Sequence, residues 1–149
     1  MINHPNSLLV HHCLKAAGES DHETLRLLWA PDIVWNIKGQ SPWRGEVNGA
    51  DRILDYLSEI GRIGAGGLHA EVRDILVSDD RAAMICRAHA ELGNQVLDAD
   101  YVIIANIMGR RIQRITSVPV DPENATEFWQ STREVNGISS NPPVVNAGL

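Results

Sequence analysis

The sequence predicts an α+β fold in which N-terminal helices pack in the concave face of a curved, mostly antiparallel sheet, leaving a cone with a pocket. Two observations carry this prediction. Residues 6–60 hold three apolar patterns of helical period, and residues 68–120 then switch to consecutive strand-like runs separated by short turns. The length of 149 residues suits one domain that buries roughly two-thirds of its unfolded surface.

The first helix is expected over residues 6–18, where Leu9, Cys13, Ala16 and Ala17 share a stripe and Gly18 marks the stop. Ser20-Asp21-His22-Glu23 is a capping pattern, and Leu25, Leu28 and Trp29 give a short second helix that Pro31-Asp32 ends. Ile33 to Ile37 begins a strand, and a turn-rich stretch follows from Gly39 to Gly49. Ala50, Ile53, Leu54, Leu57 and Ile60 then define an amphipathic helix over 49–60. Strands are expected at about 68–77, 82–92, 96–108 and 111–120, with breaks at Ser78-Asp79-Asp80, Gly93-Asn94 and Met108-Gly109-Arg110. Pro122 to Trp129 reads as a short terminal helix or turn. Residues 1–134 form the domain, and 135–149, with Asn141-Pro142-Pro143 and no periodic pattern, form a mobile tail.

Composition narrows the function. A net charge of -6 argues against nucleic acid or an acidic membrane as the partner. No apolar run approaches the roughly 18 residues of a membrane span, and no secretory signal is present at the N-terminus, so a cytoplasmic protein with Cys13 and Cys86 reduced is expected. The six histidines lack metal-ligand spacing, and no phosphate loop or nucleophile elbow occurs, so neither metal nor cofactor is expected. Three of the four tryptophans, Trp29, Trp35 and Trp43, crowd into fifteen residues, which suggests a wall.

Asp100 stands out because it lies inside the most β-prone run, Leu97 to Met108. It is an edge carboxylate, a structural partner of Arg87, or a perturbed acid facing the pocket. If it faces the pocket, strand alternation brings Asp98, Val102, Ile104 and Asn106 to its face, and Ile85, Arg87 and His89 on the neighbouring strand. An Arg, a His and an Asp so placed would form a proton-transfer site.

The order of elements, with Leu27 to Trp35, Trp43-Arg44-Gly45, the Ile53–Leu57 helix, Glu71-Val72-Arg73 and Asp100-Tyr101 leading to Gly109-Arg110-Arg111-Ile112, resembles the nuclear transport factor 2-like superfamily. That cone fold is shared by ketosteroid isomerase, SnoaL-like polyketide cyclases and limonene-epoxide hydrolase. The resemblance puts the isomerase's carboxylate base at Asn36, which cannot take a proton, and its helix-one tyrosine at His11, although only one of His11 and His12 can face inward. Its protonated aspartate falls near Asp100, across a one-residue gap. Arg87-Ala88-His89 resembles the hydrolase's Arg-x-Asp pair, and Asp121 is a weaker candidate by analogy with the cyclases.

These readings together imply a cofactor-independent enzyme acting on a hydrophobic, polycyclic or terpenoid-like small molecule: an isomerase, a SnoaL-like cyclase or an epoxide-opening hydrolase. His89 would be general acid or base, Asp100 its orienting group or a neutral donor, and Arg87 the stabiliser of negative charge. His11 and Asn36 would position an oxygen, with Asp98 beside them and Trp35, Trp43 and Tyr56 as pocket wall. The alternative is a non-catalytic ligand-binding or dimerising domain of the same fold. The resemblance also implies a homodimer formed across the outer sheet face, where Tyr101, Ile103, Ala105 and Ile107 would lie.

Overall fold

The structure, a computed structural model, describes residues 4–39, 41–63, 66–135 and 145–146. Helix α1 (Pro5–Gly18) turns Asn6, Leu9, Val10, Cys13 and Ala16 inward at helical spacing. Its start is fixed twice: the His4 ring accepts from the Asn6 backbone N–H, and Asn6 Nδ2 donates to the carbonyls of Ser78 and Asp79. Helix α2 (His22–Leu28) is capped by Asp21, which accepts from the Thr24 N–H at 3.1 Å and the Thr24 hydroxyl at 2.6 Å. Helix α3 (Ala50–Ile60) buries Ile53 and Leu54, and α4 (Pro122–Val135) buries Ala125, Phe128 and Trp129.

Among the described residues, seven strands form one sheet in the order β3-β4-β5-β6-β1-β2-β7. They are β1 (Trp29–Ile37), β2 (Gly45–Asn48), β3 (His69–Val77), β4 (Arg81–Leu92), β5 (Gln95–Met108), β6 (Arg111–Pro119) and β7 (Val145–Asn146). Only β1 and β6 run parallel; the other neighbours are antiparallel. Register shifts interrupt the ladders at Val72/Asp74 and Asn106/Ile107, and such bulges bend a sheet. A third shift lies between Trp29 and Val34, around Pro31, which has no N–H to give the ladder. The helices pack in the concave face, as expected.

Three local expectations are corrected. Trp29 begins β1 rather than closing α2. The stretch read as turns contains β2, because Glu46 and Val47 alternate outward and inward against Asn36 and Trp35. The terminal helix runs to Val135. The tail expected over 135–149 lies outside the described residues, apart from Val135 and the Val145–Asn146 strand.

Candidate functional site

Strand alternation decides which side chains reach the cone. In β4 the buried set is Ala82, Met84, Cys86, Ala88, Ala90 and Leu92. In β5 the inward set is Leu97, Ala99, Tyr101, Ile103, Ala105 and Ile107. Arg87, His89, Asp98 and Asp100 therefore project from the opposite, outer face, which corrects the expectation that they line the cone. Tyr101, Ile103, Ala105 and Ile107, expected outside, are inside. The physical reason is the cost of burying ions: sealing Arg87, Asp98 and Asp100 in an apolar cone costs several kcal/mol per ion, whereas the inward alternates are apolar or tyrosine.

On the outer face the polar residues stand in two cross-strand rows, His69-His89-Asp98 and Glu71-Arg87-Asp100. With Arg73 they line an open depression of about 550 Å³. Arg87 Nε donates to Asp98 Oδ1 at 2.7 Å, and Arg87 Nη1 lies 3.2 Å from Asp100 Oδ1. That hydrogen bond, together with the guanidinium charge, holds the Asp98 carboxyl below the usual range and pushes the Arg87 pKa up. His89 Nε2 is 3.6 Å from Glu91 Oε2. The arrangement is a solvated ion-pair network, the structural alternative recognised for Asp100 from sequence. Among the described residues no group of three or more His, Cys, Asp or Glu is placed to hold a metal ion.

Among the described residues, two chambers lie inside the cone. One, of about 80 Å³, is lined by Cys86, Ala88, Tyr101, Ile103, Pro119 and Trp129, among others, and reaches the surface at the exposed Lys38 and Ala70. The other, of about 100 Å³, lies under α1 and α3, among Val10, Cys13, Leu14, Trp35, Leu57 and Ile103, and reaches the surface at Ala17. Polar groups are few. Trp129 Nε1 donates to the Tyr101 hydroxyl at 3.2 Å, and Trp35 Nε1 donates to Ser117 Oγ at 3.1 Å. Burial pushes the Tyr101 hydroxyl up, with the Trp129 bond opposing it, and burial likewise raises the Cys86 thiol and takes Cys13 to about 12. These groups stay protonated at neutral pH.

The remaining sequence candidates divide. Trp35 lines the helix-side chamber. Trp43 and Tyr56 stand behind it: Tyr56 meets the Trp35 and Trp43 rings edge-on at 5.5 and 5.6 Å, and Trp43 meets Trp129 at 5.7 Å. Trp43 is tied down by its Nε1 donating to Glu59 Oε2 at 2.8 Å. Neither Trp43 nor Tyr56 is among the described lining residues of these two chambers; both back the wall. His11 and His12 are both exposed; His11 Nδ1 contacts the Ser7 carbonyl at 2.7 Å, and Val10, Cys13 and Leu14 take the inward places. Asn36 lies on the outer face between Glu46 and Thr116, opposite in parity to Trp35. Asp121 is exposed beyond β6. Sequence reasoning passed over Tyr101, Ile103 and Trp129 as lining residues, although the alternation Leu97-Asp98-Ala99-Asp100 already pointed the odd positions inward.

Comparison with known proteins agrees with this architecture. A family model described as a SnoaL-like domain matches residues 10–115. Bal32a, from a soil-derived mobile gene cassette, is 27% identical with a TM-score of 0.77, over 84% of this chain and 96% of that one. An NTF2-like protein from Burkholderia xenovorans LB400 is 19% identical with a TM-score of 0.73, over 87% and 98%. TerC, co-crystallised with polyporic acid, is 17% identical with a TM-score of 0.72, over 85% and 99%. No curated protein sequence matches the chain.

Proposed function

The chain belongs to the SnoaL-like domain family, and from that premise we propose that its cone binds a compact, ring-containing hydrophobic small molecule through an oxygen on the ring. The observation that carries this reading is Tyr101. Its hydroxyl accepts from Trp129 and so keeps its own proton to donate, in a chamber otherwise walled mainly by apolar side chains. A raised pKa keeps that proton on the oxygen at neutral pH. The co-crystallisation of TerC with polyporic acid supports ring compounds as ligands of this fold.

Binding is favoured over proton-transfer catalysis. A general acid or base works best with a pKa near the operating pH, and the titratable groups among the described lining are raised phenol and thiols plus Lys38 at the mouth. Arg87, His89 and Asp100 lie across the sheet from both chambers. We therefore favour the non-catalytic ligand-binding alternative over the isomerase, cyclase and hydrolase readings that were built on those residues. We also propose that a second copy covers the outer face of the sheet, where Ile85 and Val118 are exposed beside Val102 and Ile104.

Calorimetry with para-cresol, a single ring with one hydroxyl, tests the ligand reading. Saturable binding is expected, with affinity falling by up to about tenfold in Tyr101→Phe, the loss of one hydrogen bond. A folded wild-type protein that takes up no para-cresol overturns it. Turnover of a substrate panel that disappears in His89→Ala restores the catalytic alternative.

A further inference from the structure

Ile103 is the only described residue that lines both chambers. It projects inward from the middle of β5, flanked in register by Met84 on β4 and Ser117 on β6. Its β-branched side chain has few χ1 choices, so it acts as a stiff divider rather than a movable flap. On either side the space is about 80 and 100 Å³. Each is small against the roughly 300–1,000 Å³ of ordinary small-molecule sites.

We propose that Ile103 is the specificity-determining residue of the cone: it sets ligand length by closing the Tyr101 chamber against the helix-side chamber. The proposal rests on the reading of the cone as a small-molecule site. Tyr101 and Ile103 lie two steps apart on β5, their backbones separated by roughly 6.6 Å, and both line the same small chamber. A ring anchored at Tyr101 and lying along β5 therefore ends against Ile103, and a substituent para to the anchored oxygen points at that side chain. Past it lies the helix-side chamber, whose described lining is apolar but for the Cys13 thiol and the tryptophan N–H groups, a wall suited to an alkyl tail. The wild-type cone accordingly accepts a short ring compound and rejects a longer one. Removing the divider joins the chambers.

The two free cysteines serve as built-in reporters, because Cys86 lines the Tyr101 chamber and Cys13 the helix-side chamber. The experiment titrates para-cresol, para-butylphenol and para-hexylphenol into wild type, Ile103→Ala and Ile103→Val by calorimetry. In parallel, mercuration of each cysteine by ethylmercury chloride, a small apolar reagent that displaces the proton of a protonated thiol, is followed by mass spectrometry. Wild type should bind para-cresol and lose about tenfold or more in affinity at para-hexylphenol, with Cys86 alone protected. Ile103→Ala should regain that factor for para-hexylphenol and protect Cys13 as well. Ile103→Val, the smaller perturbation, should gain for para-butylphenol only, and it carries the test if the alanine variant does not fold. Equal affinity of wild type for the whole series overturns the divider, as does an unchanged series in both folded variants that bind para-cresol. Failure of wild type to bind para-cresol at all, with Cys86 unprotected, overturns the small-molecule reading and the divider with it.

Discussion

At the scale of single residues, the cone acts most clearly on groups that would otherwise ionise. Cys13 sits on the inward stripe of α1 among Val10, Leu14 and Trp35, and desolvation raises its pKa from 9.0 to about 12. For an acid with a raised folded pKa, the stabilising contribution is complete below the unfolded value of 9.0. Above it the unfolded chain releases a proton that the folded chain retains, so stability falls as pH rises from 9.0 toward about 12. Urea unfolding midpoints measured between those pH values should therefore decline in wild type, and Cys13→Ala should flatten the decline by at most about 1.4 kcal/mol per pH unit. Identical slopes in the two proteins would show that the thiol is not desolvated. Tyr56, Tyr101 and Cys86 are raised by burial too, so the variant keeps part of the slope.

At the scale of elements, the parity of β4 and β5 decides where chemistry can occur. The first three helices and the four long strands were legible because their periods differ, and their limits agree with the sequence to within a residue or so, whereas α4 runs six residues past its expected end. The parity was legible only locally. From Tyr101 to Ala105 both faces of β5 are largely apolar, since Ile103 and Val102 bury equally well, and Leu97-Asp98-Ala99-Asp100 discriminates most clearly. Alignment by resemblance, carried across a one-residue gap, set Asp100 inward, and one residue of slip exchanges every side chain between faces. β2 was hidden because Gly45, at φ 109°, and Asn48 carry turn chemistry at the two ends of a four-residue strand. The outer placement has a direct consequence. His89→Ala and Asp100→Asn should each leave para-cresol affinity within about twofold of wild type and stability within about 1 kcal/mol, as exposed ion pairs contribute little. A larger loss of affinity in either variant would mean that the outer rows communicate with the cone.

For the molecule as a whole, the proposed function gives the two faces of the sheet two tasks. α1, α3 and α4 pack against the concave face around the described chambers, so a ligand of the proposed kind would meet groups the fold already holds in place. The outer face carries a strip of Ile85, Val102, Ile104 and Val118 between the Arg87–Asp98–Asp100 network and the Arg114–Glu46 ion pair, whose N–O distance is 2.7 Å. An apolar centre bounded by paired charges is the pattern of a protein–protein interface, and an isologous contact between two copies would place the same strip on itself. Ile85 is 38% exposed and Val118 36%, so a carboxylate at either site is solvated in a monomer and buried only in an assembly. Sedimentation of the wild-type protein should accordingly give about twice the chain mass, while Ile85→Glu with Val118→Glu should give the single-chain mass with unchanged para-cresol binding and a melting temperature lowered by the lost association and independent of protein concentration. A wild-type protein that sediments as a single chain overturns the second copy. Lost ligand binding in a monomeric double variant would instead tie the cone's shape to the partner packed behind it.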